Sequence, residues 1–215
     1  MINTEVVVVD YGMGNLLSVR RGFEHCGATV NVTADPQVIL SAPRVVLPGV
    51  GAFMDGMAAL KNVELDKVLL EVASLGTPLL GICLGMQMLL DESEEFGKTH
   101  GLGLIPGKVI AVPSTTTDGQ FQKTPHIGWS ALTYSAGRSD WSGTLMQAIL
   151  PGDAAYFVHS FMASPSNSEH RVADCIYGGR YIAATIQHKN VMGCQFHPEK
   201  SGETGLKVLR QFLAL

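Results

Sequence analysis

The chain has 215 residues, of which 46% are hydrophobic and 16% charged, with a formal net charge of -4. That composition supplies a core of ordinary domain size and excludes a disordered chain. The mildly acidic balance gives no electrostatic footprint for nucleic acid. No apolar run approaches the roughly 18 residues needed to cross a membrane, because the greasiest stretch, Pro78 to Leu90, is broken by Gln87. Met1–Glu5 lacks the basic start and apolar run of a secretory leader. The 4 cysteines form no CxxC pair, which argues against a zinc knuckle or a disulfide framework. A cytoplasmic enzyme or enzyme subunit, with one domain over residues 1–215, is the expectation.

Along the chain, Glu5–Asp10 reads EVVVVD, and four consecutive valines mark a central parallel strand buried on both faces. A Gly12–Gly14 turn leads to a helix from Leu16 to about Cys26, stopped by Gly27. Ala28–Val32 alternates as a strand, and Asp35-Pro36 caps and opens a short helix. Arg44–Leu47 is the next strand, followed by helices over roughly Ala52–Lys61 and Glu64–Leu75, a strand at Leu79–Ile82 and a helix at Leu84–Asp91. This alternation predicts a doubly wound parallel sheet. The second half changes to strands at Lys108–Val112, Ser130–Tyr134, Ala155–Val158, Arg171–Tyr177, Tyr181–Gln187 and Val191–Phe196. Gly178-Gly179 marks a hairpin. Pro113–Gln122 and Ser135–Gly143 read as polar loops, and a last helix covers about Glu203–Leu213. The expected fold is α/β: a doubly wound, mostly parallel central sheet with an antiparallel extension.

The chemistry concentrates at Gly81-Ile82-Cys83-Leu84-Gly85, on a strand-to-helix junction. This is the layout of a nucleophile elbow with cysteine in the serine position. The tight bend displays the central side chain at the sheet's carboxyl edge and needs glycine on both sides. The helix that follows aims free N–H groups at the sulfur, which favours a thiolate and a nearby oxyanion. A buried core cysteine is the competing reading, and the flanking glycines weigh against it. His197, in Gln195-Phe196-His197-Pro198-Glu199, is the candidate base, with Glu199 two residues on to orient it. Taken alone, that segment reads more readily as a surface loop. A metal held by Cys83, His197 and Glu199 is a poor fit. Pro48-Gly49-Val50-Gly51 ends another strand at the same edge, where a glycine-flanked peptide can turn its N–H inward beside that of Leu84. Neither this segment nor Gly12-Met13-Gly14 completes a dinucleotide or phosphate loop, so neither NAD nor ATP is expected. His25, His100, His170 and His188 are expected to be solvated, Cys26, Cys175 and Cys194 to be buried or inert, and His126 and His159 to be either functional or satisfied core groups.

GICLGMQ at 81–87 and QFHPEKSG at 195–202 resemble the class I glutamine amidotransferases. DYGMGNL at 10–16, PGVGAF at 48–53, PHIGW at 125–129 and YFVHSF at 156–161 resemble, within that class, the glutaminase subunits of imidazole glycerol phosphate synthase. The resemblance runs nearly end to end. It implies Cys83 as nucleophile, His197 as general base and acid, Glu199 as the orienting acid, and Val50 and Leu84 as oxyanion-hole donors. It further implies Gln87, Glu95, His159 and Ser160 around bound L-glutamine, Gly49 and Gly51 as shapers of the loop, and Asn15, His126 and Trp129 on the face that meets a (β/α)8-barrel cyclase in a heterodimer. No cofactor and no metal are implied. Ser130 stands where asparagine is common and Phe161 where tyrosine is more usual, both near the expected partner side. Relatives that feed ammonia to surface-sugar amidotransferases share the same chemistry and stay open as an alternative partner.

Overall fold

A computed structural model describes residues 4–215; the first three, part of the Met1–Glu5 segment considered above as a leader, lie outside the described residues. Strand β1 (Glu5–Val9) leads to helix α1 (Leu16–His25), and β2 (Thr29–Thr33), α2 (Pro36–Leu40), β3 (Val45–Gly49), α3 (Phe53–Asn62), α4 (Leu65–Ser74), β4 (Leu79–Cys83) and α5 (Leu84–Met88) continue the alternation. Then come β5 (Leu90–Ser93), β6 (Thr99–His100), β7 (Ile105–Ala111), β8 (His126–Tyr134), β9 (Ala154–His159), β10 (Phe161–Pro165), β11 (Arg171–Tyr177), β12 (Arg180–His188) and β13 (Val191–Cys194), before α6 (Gly202–Leu213). Local signals work as the sequence implies. The Asp35 carboxylate accepts from the Gln37 N–H at 2.8 Å ahead of Pro36, which opens α2.

The main sheet has nine strands in the order β2-β1-β3-β4-β13-β12-β11-β8-β9. The run from β2 to β13 pairs parallel, and the strands from β12 to β9 add on antiparallel. The valines of β1 show why both faces are covered. Val6 and Val8 face a core shared with α1 and α6, where Phe23 and Phe212 approach at 6.0 Å between ring centroids. Val7 and Val9 face a second core shared with α2, α3 and α4. All four are fully buried, and side chains alternating along a strand account for the division.

A second sheet, β10-β7-β5-β6, was not foreseen. The helix expected over Leu84–Asp91 ends at Met88, because the backbone of residues 101–104 takes its last carbonyls. The Leu102 N–H donates to the Met88 carbonyl at 2.9 Å and the Gly101 N–H to that of Asp91 at 2.8 Å. Leu90–Ser93 is thereby drawn into strand pairing with β6 and β7.

The topology places a site where β3, β4 and β13 end together. Gly49 lies opposite Cys83 and Cys194 opposite Ile82. Residues following Cys194 therefore emerge beside the β4–α5 turn, at the carboxyl edge where open α/β sheets bind ligands.

Candidate active site

Cys83 joins β4 to α5 with φ 56° and ψ -111°, a conformation an L-residue holds only under strain of about 1–3 kcal/mol. The surrounding packing enforces it. A Cβ on Gly81 would stand 2.6 Å from the Gly85 carbonyl oxygen, and one on Gly85 would land on the Leu47 carbonyl of β3. Only glycine lets α5 lie this close to β3 and β4. The first N–H groups of α5 have no partner within the helix and are free for an anion at the sulfur. Cys83 opens on a cavity of about 250 Å³.

His197 stands at that cavity, nearly buried. Its Nδ1 lies 2.8 Å from Glu199 Oε1, and since a carboxylate only accepts, the proton sits on Nδ1 and the other ring nitrogen is left for Cys83. Burial pulls the imidazolium down, but hydrogen bonds to Cys83 and Glu199 and the negative charge of both outweigh it and lift the pKa to about 9. Glu199 Oε2 is buried without a hydrogen-bond partner, so this carboxylate is committed to one imidazole. The backbone is clamped as well. The His197 N–H donates to the Tyr156 carbonyl at 3.0 Å, and the Ser201 hydroxyl donates to the His197 carbonyl at 2.6 Å while accepting from the Tyr156 N–H at 2.9 Å. Sequence reasoning missed Ser201; a serine one turn past His197 is its only signal.

Val50, Gly51, Leu84, Gln87, Glu95, His159 and Ser160 line the same cavity. Glu95 reaches it from the loop after β5, where its Oε2 accepts from the Phe53 N–H at 2.7 Å. Ala52, at the start of α3, has no capping side chain, so Glu95 caps that helix from outside. Gly49 lies beneath the cavity rather than in its wall. A Cβ there would meet the Tyr11 hydroxyl at 2.8 Å and the Gly85 nitrogen at 2.9 Å. That hydroxyl donates to the Pro48 carbonyl at 2.8 Å and pins the approach to Val50; burial, and then the Cys83 charge, push its own ionisation up. Val50 is half exposed and Gly51 takes φ +101°.

The residues expected on a partner face divide. Trp129 is 59% exposed, set edge-on to Tyr156 at 6.1 Å, with Ile127 exposed on the same side of β8. Asn15 caps α1, accepting from the Ser18 N–H at 3.4 Å. His126 is a correction: it is buried between Phe157 and Tyr177, at ring-centroid distances of 5.0 and 4.1 Å, because alternation along β8 turns residue 126 inward when 127 and 129 face out. Phe161 lines the cavity itself. His170 and His188 meet ring to ring at 4.4 Å, tilted by 32°, and both are half-buried. Among the described residues, no group of three or more His, Cys, Asp or Glu is placed to hold a metal ion. Another cavity of about 360 Å³, between Tyr134, Arg171 and Tyr181, has neither cysteine nor histidine in its lining.

Comparison with known proteins agrees with this geometry. The family described as glutamine amidotransferase class-I matches residues 7–215. The chain is 51% identical over 212 residues to imidazole glycerol phosphate synthase subunit HisH 1 of Legionella pneumophila (strain Lens), covering 99% of this chain and 100% of that one. It is 44% identical over 211 residues to subunit HisH of Methanosarcina mazei, covering 98% of each. Among solved structures, a glutamine amidotransferase superposes with a TM-score of 0.71 at 14% identity, over 97% of this chain and 99% of that one. PurLQS from Thermotoga maritima superposes with 0.70 at 20% identity, over 99% and 98%; these two speak for the fold. A cysteine elbow facing a carboxylate-bound imidazole, on a sequence alike from end to end, places the chain in the class I glutamine amidotransferase family, on the branch of the HisH subunits of imidazole glycerol phosphate synthase.

Proposed function

We propose that this chain hydrolyses L-glutamine to glutamate and ammonia at Cys83, and hands the ammonia to a (β/α)8-barrel cyclase that forms imidazole glycerol phosphate and aminoimidazole carboxamide ribotide in histidine biosynthesis. The observation that carries the reading is that Cys83 and His197 line one cavity of about 250 Å³, with His197 Nδ1 held 2.8 Å from Glu199 Oε1; the volume is below the roughly 300–1,000 Å³ of drug-sized pockets and suited to one amino acid. The Cys83 thiolate attacks the side-chain amide carbon of glutamine. The oxyanion takes the N–H groups of Leu84 and Val50, worth about a hundred- to a thousandfold in rate for a single donor. The His197 imidazolium gives its proton to the leaving nitrogen, and ammonia departs from a glutamyl thioester. Water, deprotonated by His197, then releases glutamate and restores the thiolate. Glu199 holds the tautomer this requires. Gln87, Glu95, His159 and Ser160 surround the amino-acid end of the substrate. Trp129, Ile127 and Asn15 supply an exposed face for the cyclase. All four cysteines are free thiols, in keeping with a reducing cytoplasmic setting.

Cys83→Ala is expected to fold, bind the cyclase and lose glutamine-dependent product formation, with ammonium salts restoring the product. Quenched mass spectrometry should find a glutamyl adduct on Cys83 in the unsubstituted chain with its partner. Failure of ammonium to restore product, or a missing adduct, would overturn the assignment. Stimulation by a sugar amidotransferase and not by a cyclase would transfer the ammonia to the alternative partner.

A further inference from the structure

The catalytic series described so far touches the sulfur from one side. A second side chain touches it from another. Gln195 is fully buried, and its Nε2 lies 3.8 Å from Cys83 Sγ. It precedes His197 by two residues in the bend that follows β13, and Phe196 between them packs into the core.

Which end of the Gln195 amide meets the sulfur is settled by the Phe161 carbonyl. That oxygen can only accept. It receives Gln87 Nε2 at 3.0 Å, which fixes the nitrogen end of Gln87; the same nitrogen then donates to Gln195 Oε1 at 3.0 Å. With its oxygen so engaged, Gln195 must turn its NH2 towards Cys83. In the other direction, the Phe161 carbonyl takes His159 Nδ1 at 2.8 Å, so neutral His159 carries its proton there and accepts at Nε2. His126 Nδ1, 3.0 Å away, must donate to it, leaving His126 Nε2 to accept the Ser130 hydroxyl at 2.9 Å. One backbone oxygen thus orients every proton from Ser130 on β8 to the sulfur at the end of β4. Burial holds both imidazoles neutral, with pKa values pulled down to about 4; at His159 it outweighs the Phe161 carbonyl, which favours the charged ring, and the nearby His197 charge adds to it. The remaining neighbours of His126, Phe157 and Tyr177, bring no formal charge.

We propose that Gln195 is a further catalytic residue, whose side-chain N–H stabilises the Cys83 thiolate, and that Ser130, His126 and His159 are positioning residues that hold its amide in the donating orientation through the Phe161 carbonyl and Gln87. The proposal deepens the glutaminase reading and rests on it for its catalytic meaning, but the contact itself needs neither glutamine nor partner.

The test is the rate at which iodoacetamide alkylates Cys83 at pH 7, read by mass spectrometry on the Cys83 peptide so that the partly exposed Cys26 does not contribute. Gln195→Met keeps the bulk, removes the donor and should slow alkylation about tenfold, the scale of one hydrogen bond to a charged group. Gln195→Glu places an anion beside the sulfur and should slow it further. Ser130→Ala should slow it about threefold, a fraction of that bond, and Ser130→Thr, which keeps the hydroxyl, should restore it; a merely structural role would not follow the hydroxyl. A Gln195→Met rate within twofold of the unsubstituted chain overturns the catalytic role, and an unchanged Ser130→Ala rate overturns the positioning role. If Gln195→Met does not fold, the side-chain amide NMR signal of Gln195 in the unsubstituted chain must move when Cys83 is alkylated, and a stationary signal overturns the contact. A chain that shows these alkylation effects yet never turns over glutamine with any partner would sink the glutaminase reading and leave the contact standing. Normal turnover with none of the effects would do the reverse.

Discussion

Glu199→Gln tests the core of the mechanism with a single change of charge. The Glu199 carboxylate is almost fully enclosed and lies 2.8 Å from His197 Nδ1. Burial works against the imidazolium, yet Cys83 and Glu199 together lift its pKa from 6.5 to about 9, a bias of about 3 kcal/mol towards the charged ring. Two anions share that bias, so removing one forfeits roughly half of it, about a tenfold fall in the ring's proton affinity. The amide adds a larger defect. Its NH2 can donate to Nδ1, which pushes the ring proton to Nε2, where it faces the sulfur and cannot be the base for water. The expected loss in kcat is about 10³–10⁴-fold, measured as glutamate release with the cyclase partner present. Stability gives an independent readout. A folded-state pKa raised above the unfolded value adds stability that is complete below about pH 6.5 and is lost as pH rises through about 9. Glu199→Gln should therefore lower the unfolding free energy at pH 6.5 by about 1–2 kcal/mol and flatten its decline between pH 6.5 and 9, as followed by urea unfolding. A variant that keeps more than a tenth of its turnover, or whose pH dependence matches that of the unsubstituted chain, would refute the charge relationship.

Gly85→Ala should abolish the folded state or cost several kcal/mol in thermal unfolding, because its Cβ lands on the Leu47 carbonyl, which as backbone cannot swing aside; an unchanged Tm would show that α5 can shift. Acid should destabilise the protein through His126 and His159, whose folded pKa values lie near 4. With folded values below the unfolded 6.5, the stability from keeping these rings neutral is present above pH 6.5 and lost as pH falls towards 4. His126→Gln should shallow that decline in denaturant titrations between pH 6.5 and 4, and an equally steep curve would deny the neutral pair. Trp129→Ala, at an exposed side chain, should change unfolding free energy by less than about 0.5 kcal/mol while weakening cyclase binding at least about tenfold by calorimetry; unchanged affinity would remove β8 from the partner face.

Particular residues show where the sequence was legible. The valines of β1 and the glycines around Cys83 each carry a local physical requirement and are readable without neighbours, whereas the His-Pro-Glu segment alone reads as a surface loop and takes its assignment from the family resemblance. The four-stranded second sheet was not, because Leu90–Ser93 is a strand only through the carbonyls that residues 101–104 capture. His126 misled for a related reason: it lies in a segment whose alternate residues face outward, and the sequence does not say which phase points in. Gln195 carries a signal of its own, a polar side chain two residues before the base and directly after a run of apolar strand residues. What it touches depends on Phe161 and Gln87, far away along the chain.

Strand β13 is inserted between β4 and β12. Without the segment from Val191 to Glu199, the nucleophile's strand has no neighbour on one side and lacks both His197 and the carboxylate that orients it. One inserted strand therefore both closes the sheet beside Cys83 and delivers its base, so the nucleophile's support and its proton partner are gained or lost together.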